Sequence, residues 1–339
     1  MSTTHTRIAA VAAHLPETTM TTAELEDLLA RRNPGVDVPR GVIVDGSGVR
    51  RRHVADPSEL PSDLAVAAAR KLLDTGGVHP GELDLIIYAG VSIDCVEPGT
   101  GHVVAAKLGA ACPVFDVRNA CNGVLNAIEV ADALIRGGRY RCVLICVGEL
   151  PSMIIPWTVG GAEEFFRVAA SYTVSDVGAA LLLEACDSPG VLGHGASAHS
   201  AAWASAAVRF DDVSSDPRVG PPRMGPLVVN GVGLMRGFER LDLTVGHKLL
   251  ADSGLTWDDC AVVCVHQASL PMLWKFCEHA GIPPAKVVVT IAQHGNMVAA
   301  TLPVQLAMAV ESGRVRRGDL VALVGLASGV SAGLTLVRW

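Results

Sequence analysis

Short apolar runs alternate with helix-patterned segments along the whole chain, and this alternation limits the fold more than any other feature. Extended runs fall at 8–13, 85–89, 114–117, 142–147, 179–183, 261–265, 287–289, 320–324 and 334–337. Thr21-Thr22-Ala23-Glu24 is a capping-box start for a helix running to about Arg31. Segments 62–73 and 124–135 read as helices stopped by Gly76-Gly77 and Gly137-Gly138. Helical patterns at 232–250, 270–279 and 296–310 follow. The expectation is an α/β protein with helices covering its sheets. Half of the residues are apolar and only 4% are aromatic, so Ala, Val, Leu and Gly must fill closely packed helix–sheet layers.

One junction in this pattern carries a reactive group. The run 114–117 ends just before Cys121, and the helical run from Val124 begins just after it. A thiol at a helix N-terminus meets the positive end of the dipole and free N–H groups, which predicts easier ionisation. Such a thiolate is suited to acyl transfer. His266, in Val265-His266-Gln267-Ala268, and Asn296, in His294-Gly295-Asn296, sit at two later junctions. The halves look alike in plan, with Cys121 in one and His266 in the other. Asp187-Ser188-Pro189-Gly190 marks a turn between them, which sets the expected division at 1–185 and 186–339.

Other classes fit less well. The formal net charge of −7 argues against nucleic acid as a main partner. Arg50-Arg51-Arg52 reads as a solvated loop, or alternatively as a patch for a phosphorylated carrier. Neither half shows a glycine-rich dinucleotide fingerprint after its first strand. The nine cysteines read as reduced; Cys142, Cys146, Cys260 and Cys264 lie inside apolar runs and suit the core better than a metal. No secretory signal is recognisable, and 321–337, broken by Gly and Ser, reads as two strands rather than a membrane span. A cytoplasmic location is expected. Two segments escape the alternation. Segment 150–173 is apolar, with Ile154, Ile155, Trp157, Phe165 and Phe166, and reads as extra core or as a wall for an acyl chain. Segment 193–230 is rich in Ala, Ser and Pro and reads as surface loops.

Asp116…Ala120-Cys121, His266-Gln267, Gly295-Asn296 and the Gly325…Ser328-Gly329 turn resemble, in order and spacing, the thiolase-fold condensing enzymes of the ketoacyl-ACP synthase III superfamily. The resemblance implies a five-layer αβαβα fold from two duplicated halves, working as a dimer without a cofactor or metal. It implies that Cys121 accepts the acyl group. His266 and Asn296 would hydrogen-bond the thioester oxygen of the second substrate, and the backbone N–H groups of Cys121 and Gly329 would form the oxyanion hole. Asp176 resembles the family's structural turn, and His294 reads as structural.

Ser92-Ile93-Asp94-Cys95-Val96-Glu97-Pro98-Gly99-Thr100, together with the stretch around Cys121 and the carboxyl end, resembles the OleA-type olefin-biosynthesis thiolases. Those enzymes join two acyl-CoA molecules without decarboxylation. Glu97 would be the base, reaching into the site of a partner subunit; its alternative role is a helix N-terminal carboxylate. A plain acyl-CoA has no carboxylate to lose, so a base must take its α proton, and a carboxylate in an apolar channel can do so. The housekeeping synthase has a tryptophan and an arginine that grip the CoA adenine. Neither precedes Gly48-Val49-Arg50 in the segment 41–50, and Ser269-Leu270-Pro271 follows His266-Gln267-Ala268 where an arginine is usual. Asn122 and Ala327 depart from the OleA type, which has an apolar residue and a glycine there.

The leading expectation is a non-decarboxylating Claisen condensation on acyl-CoA or acyl carrier protein. A decarboxylating ketosynthase that uses malonyl thioesters, and an acyltransferase to an alcohol or amine, are the alternatives. A homodimer is expected, with a heterodimer between related subunits as the other arrangement.

Overall fold

The computed structural model describes residues 4–211, 213, 220 and 222–339. The first half contributes strands β1 (His5–His14), β2 (Thr19–Thr21), β3 (Arg51–His53), β4 (Leu85–Tyr88), β5 (Val114–Asp116), β6 (Cys142–Glu149) and β7 (Val177–Cys186). Its helices are α1 (Thr22–Arg32), α2 (Val42–Ser47), α3 (Pro61–Gly76), α4 (Thr100–Leu108), α5 (Gly123–Arg136) and α6 (Ala162–Val168). Beyond Cys186 come β8 (Val191–Ala198), β9 (Ala206–Asp211), β10 (Arg223–Val229), β11 (Cys260–Val265), β12 (Leu320–Ala327) and β13 (Ser331–Arg338). The helices there are α7 (Gly231–Phe238), α8 (Thr244–Asp252), α9 (Leu270–His279), α10 (Ile291–His294) and α11 (Thr301–Glu311).

The two main sheets repeat one topology. The first runs β5-β4-β6-β7-β1 and the second β11-β12-β13-β8. In the first, β4 is parallel to β5 and β6, while β6–β7 and β7–β1 are antiparallel. In the second, β11–β12 is parallel, and β12–β13 and β13–β8 are antiparallel. The missing fifth strand survives as a parallel bridge from Val263 to Val287, so the expected strand at 287–289 is reduced to one ladder position. Every pairing in one half has its counterpart in the other, as duplication requires.

Core packing gives the layers. The largest apolar cluster joins α5 and α11 to residues from both sheets, such as Ile145, Leu181, Val262 and Leu323. A second cluster packs α3 and α4 on the outer face of the first sheet, and a third packs α8 and α9 on the second. Helix, sheet, central helices, sheet and helix form the five layers.

Several expectations need correction. The described residues of segment 193–230 hold most of β8 and the antiparallel pair β9 and β10 rather than surface loops alone, while 212, 214–219 and 221 lie outside the described residues. The pattern at 232–250 is two helices, α7 ending at Phe238 and α8 starting at Thr244, whose N–H donates to the Asp242 carboxylate at 2.9 Å in the turn between them. Helix α11 starts only at Thr301, since the backbone around Asn296 is committed to the 173–175 segment. Arg52 is 2% exposed and not solvated: it points inward, donates to Thr22 Oγ1 at 2.7 Å, and Glu26 supports its charge. All nine cysteines are free thiols. No helix among the described residues is long and apolar enough to cross a membrane, and no group of three or more ligating side chains there could hold a metal.

Candidate active site

Cys121 is delivered by a tight turn between β5 and α5. Ala120 before it has φ 46°, a left-handed conformation that costs a non-glycine residue about 1–3 kcal/mol. The Asn122 N–H donates to the Asn119 carbonyl at 2.9 Å and the Gly123 N–H to the Ala120 carbonyl at 3.1 Å. A Cβ on Gly123 would lie 2.6 Å from the Ala89 carbonyl oxygen, so only glycine lets α5 start this close to the end of β4. Asn122 is buried and donates to Ser331 Oγ at 2.9 Å, which ties the cysteine turn to β13.

His266 follows β11, its N–H donating to the Val324 carbonyl at 2.9 Å. Gln267 clamps the chain that leads to Asn296. Its Nε2 donates to the Val288 carbonyl at 2.6 Å, and its Oε1 accepts from the Thr290 and Ile291 N–H groups at 2.9 and 3.0 Å. Asn296 is then bracketed by the 173–175 segment. Its N–H donates to the Thr173 carbonyl at 2.8 Å, and its carbonyl accepts from the Ser175 N–H at 3.0 Å. Its side-chain Oδ1 accepts from the Val298 N–H at 3.0 Å, so the amide presents its NH2 donors elsewhere.

Two cavities meet at these residues. One, of about 390 Å³, is lined by Cys121, His266 and Asn296 together with Met235 and Phe238 of α7 and the exposed Lys275 of α9. The other, of about 540 Å³, is lined by Cys121, Asn296, Glu149, Ser328 and Gly329, with a mainly apolar wall that includes Phe210 and Met224. Both are within the range of small-molecule sites. Leu150, Met153 and Ile154 of the apolar 150–173 segment line the second cavity, whereas Ile155 and Phe165 are core and Phe166 is exposed. Backbone strain gathers at the same place. Among the described residues the non-glycine positions with positive φ are Ala120, Val298 and Val330, near Cys121, Asn296 and Gly329. A packed scaffold holds such conformations where geometry matters more than local comfort.

The electrostatics correct one expectation. Burial pushes the Cys121 thiol up to about 12, with the nearby Glu149 charge adding to the effect. Desolvation thus acts against the easier ionisation expected of a thiol at a helix terminus. Burial lowers His266 to about 4, so its imidazole is neutral near neutral pH, and its Nδ1 has no hydrogen-bond partner among the described residues.

Thus Cys121, His266, Asn296 and Gly329 converge. Glu97 does not join them within its own chain. It stands exposed on the loop between β4 and α4, lining neither cavity, although Val96 beside it lies at the edge of the second. Asp176 accepts from the Ala55 and Ser152 N–H groups at 2.9 and 3.1 Å and is structural. His294 stacks on His53 and shares a 3.0 Å hydrogen bond with it. Sequence reasoning missed Glu149. The available signal was an acidic residue ending the otherwise apolar run of β6.

The sequence model of 3-oxoacyl-[acyl-carrier-protein (ACP)] synthase III matches residues 115–200, and that of its C-terminal part matches 250–339, together just over half of the chain. Among solved structures, OleA of Xanthomonas campestris carrying serine for cysteine, with bound lauric acid and lauroyl-CoA, is 26% identical over 99% of both chains, with a TM-score of 0.87. A variant of that OleA with alanine for glutamate is 25% identical over 100% of this chain and 99% of its own, with a TM-score of 0.85. The same enzyme bound to cerulenin is 25% identical over 99% of this chain and 97% of its own, with a TM-score of 0.83. The repeated sheet topology, the cysteine at the head of a central helix and these likenesses agree: the chain belongs to the 3-oxoacyl-ACP synthase III family, as a thiolase-fold condensing acyltransferase similar in structure to OleA.

Proposed function

We propose that this enzyme joins two acyl-CoA molecules by non-decarboxylating Claisen condensation, the two halves 1–185 and 186–339 supplying Cys121 on one side and His266 with Asn296 on the other. The observation that carries the reading is the meeting of two cavities at Cys121 and Asn296. One can admit the thioester arm past Lys275, whose ammonium suits a phosphate, while the larger apolar one receives the alkyl chain.

Cys121 attacks the first acyl-CoA, forms the acyl-enzyme and releases the CoA thiol. Its backbone N–H and that of Gly329 hold the oxyanion. A base removes an α proton from the second acyl-CoA. The enolate oxygen forms where His266 and the Asn296 amide can donate, each such donor worth about 2.7–4 kcal/mol. The enolate carbon then attacks the acyl-Cys121 carbonyl. Collapse expels the Cys121 sulfur and leaves a 2-alkyl-3-ketoacyl-CoA. Glu97 of a second copy is the base, which accounts for its exposure on its own chain.

The same exposure favours one alternative. Decarboxylation of a malonyl thioester makes the carbanion without a base, and the Cys121, His266 and Asn296 geometry serves it equally. Mass spectrometry after incubation with a long-chain acyl-CoA alone separates the two. A 2-alkyl-3-keto product supports the proposal. An acyl-Cys121 adduct that waits for malonyl thioester overturns it.

A further inference from the structure

We infer that Glu149 is a positioning residue of this site, holding the base of the Glu97-bearing loop beside Cys121 and Asn296 while its charge governs how readily the Cys121 thiol ionises. The inference rests on the site assignment above and extends it to a residue with no proposed contact to substrate.

The geometry is specific. Glu149 ends β6, is fully buried, and lines the cavity that also contains Cys121, Asn296 and Gly329. Its Oε1 accepts from the Val91 N–H at 2.9 Å, and its Oε2 accepts from the Ser92 N–H and hydroxyl at 3.1 and 3.0 Å. Val91 and Ser92 open the loop whose far end carries Glu97, and the strained Val298 that orients Asn296 lines the same cavity as Glu149. One carboxylate thus ties down the first loop and stands beside the second. Asp94 anchors the first loop a second time, accepting from the Ser62 N–H and hydroxyl at 2.9 and 2.5 Å, so the exposed tip projects from a fixed base.

No cation forms an ion pair with Glu149 among the described residues. Among the described residues the titratable and charged groups facing it are Cys121 and Arg118, which line the same cavity, and Tyr88 on β4. Tyr88 is a neutral phenol held by the Ser92 and Gly148 carbonyls, both 2.7 Å away. Burial lifts Glu149 to about 7. Ionised, it opposes a thiolate at Cys121; protonated or replaced by a neutral amide, it does not.

Alkylation of Cys121 by iodoacetamide, followed against pH in the free protein, tests the inference without any acyl substrate, so it stands or falls separately from the condensation reaction. Glu149→Gln is expected to move the rise in rate to lower pH and to speed alkylation about tenfold at about pH 8, the effect of lowering the thiol by roughly one pKa unit. Glu149→Asp keeps the charge and the wild-type curve. A Gln variant that folds cooperatively and superimposes on wild type overturns the inference. If the Gln variant does not fold, the wild-type curve decides. A departure from single-ionisation behaviour near pH 7 supports the inference, and a curve described by one ionisation overturns it.

Discussion

The Val298 N–H donates to Oδ1 of Asn296 at 3.0 Å, and this one bond determines which end of the asparagine amide is left to meet a substrate. Val298 makes the bond from a left-handed conformation, φ 50°, that a β-branched residue rarely adopts. The strain is held by the packed residues on either side, since Met297, Ala299 and Ala300 are fully buried.

Asn296→Ala removes that donor. Condensation is expected to fall about 10²–10³-fold, while acylation of Cys121, which needs no enolate, continues. Single-turnover mass spectrometry resolves the two steps. Equal losses in both would show that Asn296 serves the acyl-enzyme instead.

Gly295 has φ 68°, and a Cβ there would lie 2.9 Å from the Thr173 carbonyl. Gly295→Ala is therefore expected to cost about 1–3 kcal/mol and to displace the neighbouring Asn296. Thermal unfolding should show the loss of stability, and condensation should suffer more than acylation. An unchanged melting temperature would contradict the close approach.

His266 gives a pH dependence of stability whose sign is set by burial. An exposed histidine titrates near 6.5, whereas folded His266 is lowered to about 4. Between those values the unfolded chain binds the extra proton, so stability falls as pH drops through this window, by about 3 kcal/mol at its acid end. Denaturant titrations of wild type and His266→Gln measure it. The variant should show the flatter profile, and parallel profiles would reject the assignment.

Glu97→Gln is expected to leave Cys121 acylation intact and to abolish condensation from acyl-CoA alone. Mixing the Glu97→Gln and Cys121→Ala chains restores up to about a quarter of the activity if the glutamate acts across a dimer by random exchange of subunits. No recovery, alongside demonstrated subunit exchange, would mean that base and nucleophile share one chain.

Much of this arrangement was readable from one dimension. The capping box Thr21–Glu24 forms as its residues require, with the Glu24 N–H donating to Thr21 Oγ1 at 3.2 Å and the Glu24 carboxylate accepting from the Thr21 N–H at 2.7 Å. Helix α5 follows Cys121 because an apolar helical run begins there, and α3 stops at Gly77 because that residue takes φ 65°. These outcomes depend on neighbours a few residues apart, and such neighbours are written in the sequence.

Periodicity and turn chemistry act between near neighbours, so the class of fold, the junctions at Cys121, His266 and Asn296 and the family resemblance were legible along the chain. Packing in three dimensions set the rest. It turned 206–211 and 223–229 into strands that build a cavity wall, and buried Arg52 out of an apparently solvated basic run. It also set Cys121 where burial raises its thiol, and placed Glu149 beneath the loop at Val91 and Ser92, far from it in sequence. Desolvation and the pairing of distant backbone groups depend on what surrounds a residue in space, and the order of residues along the chain does not record those surroundings.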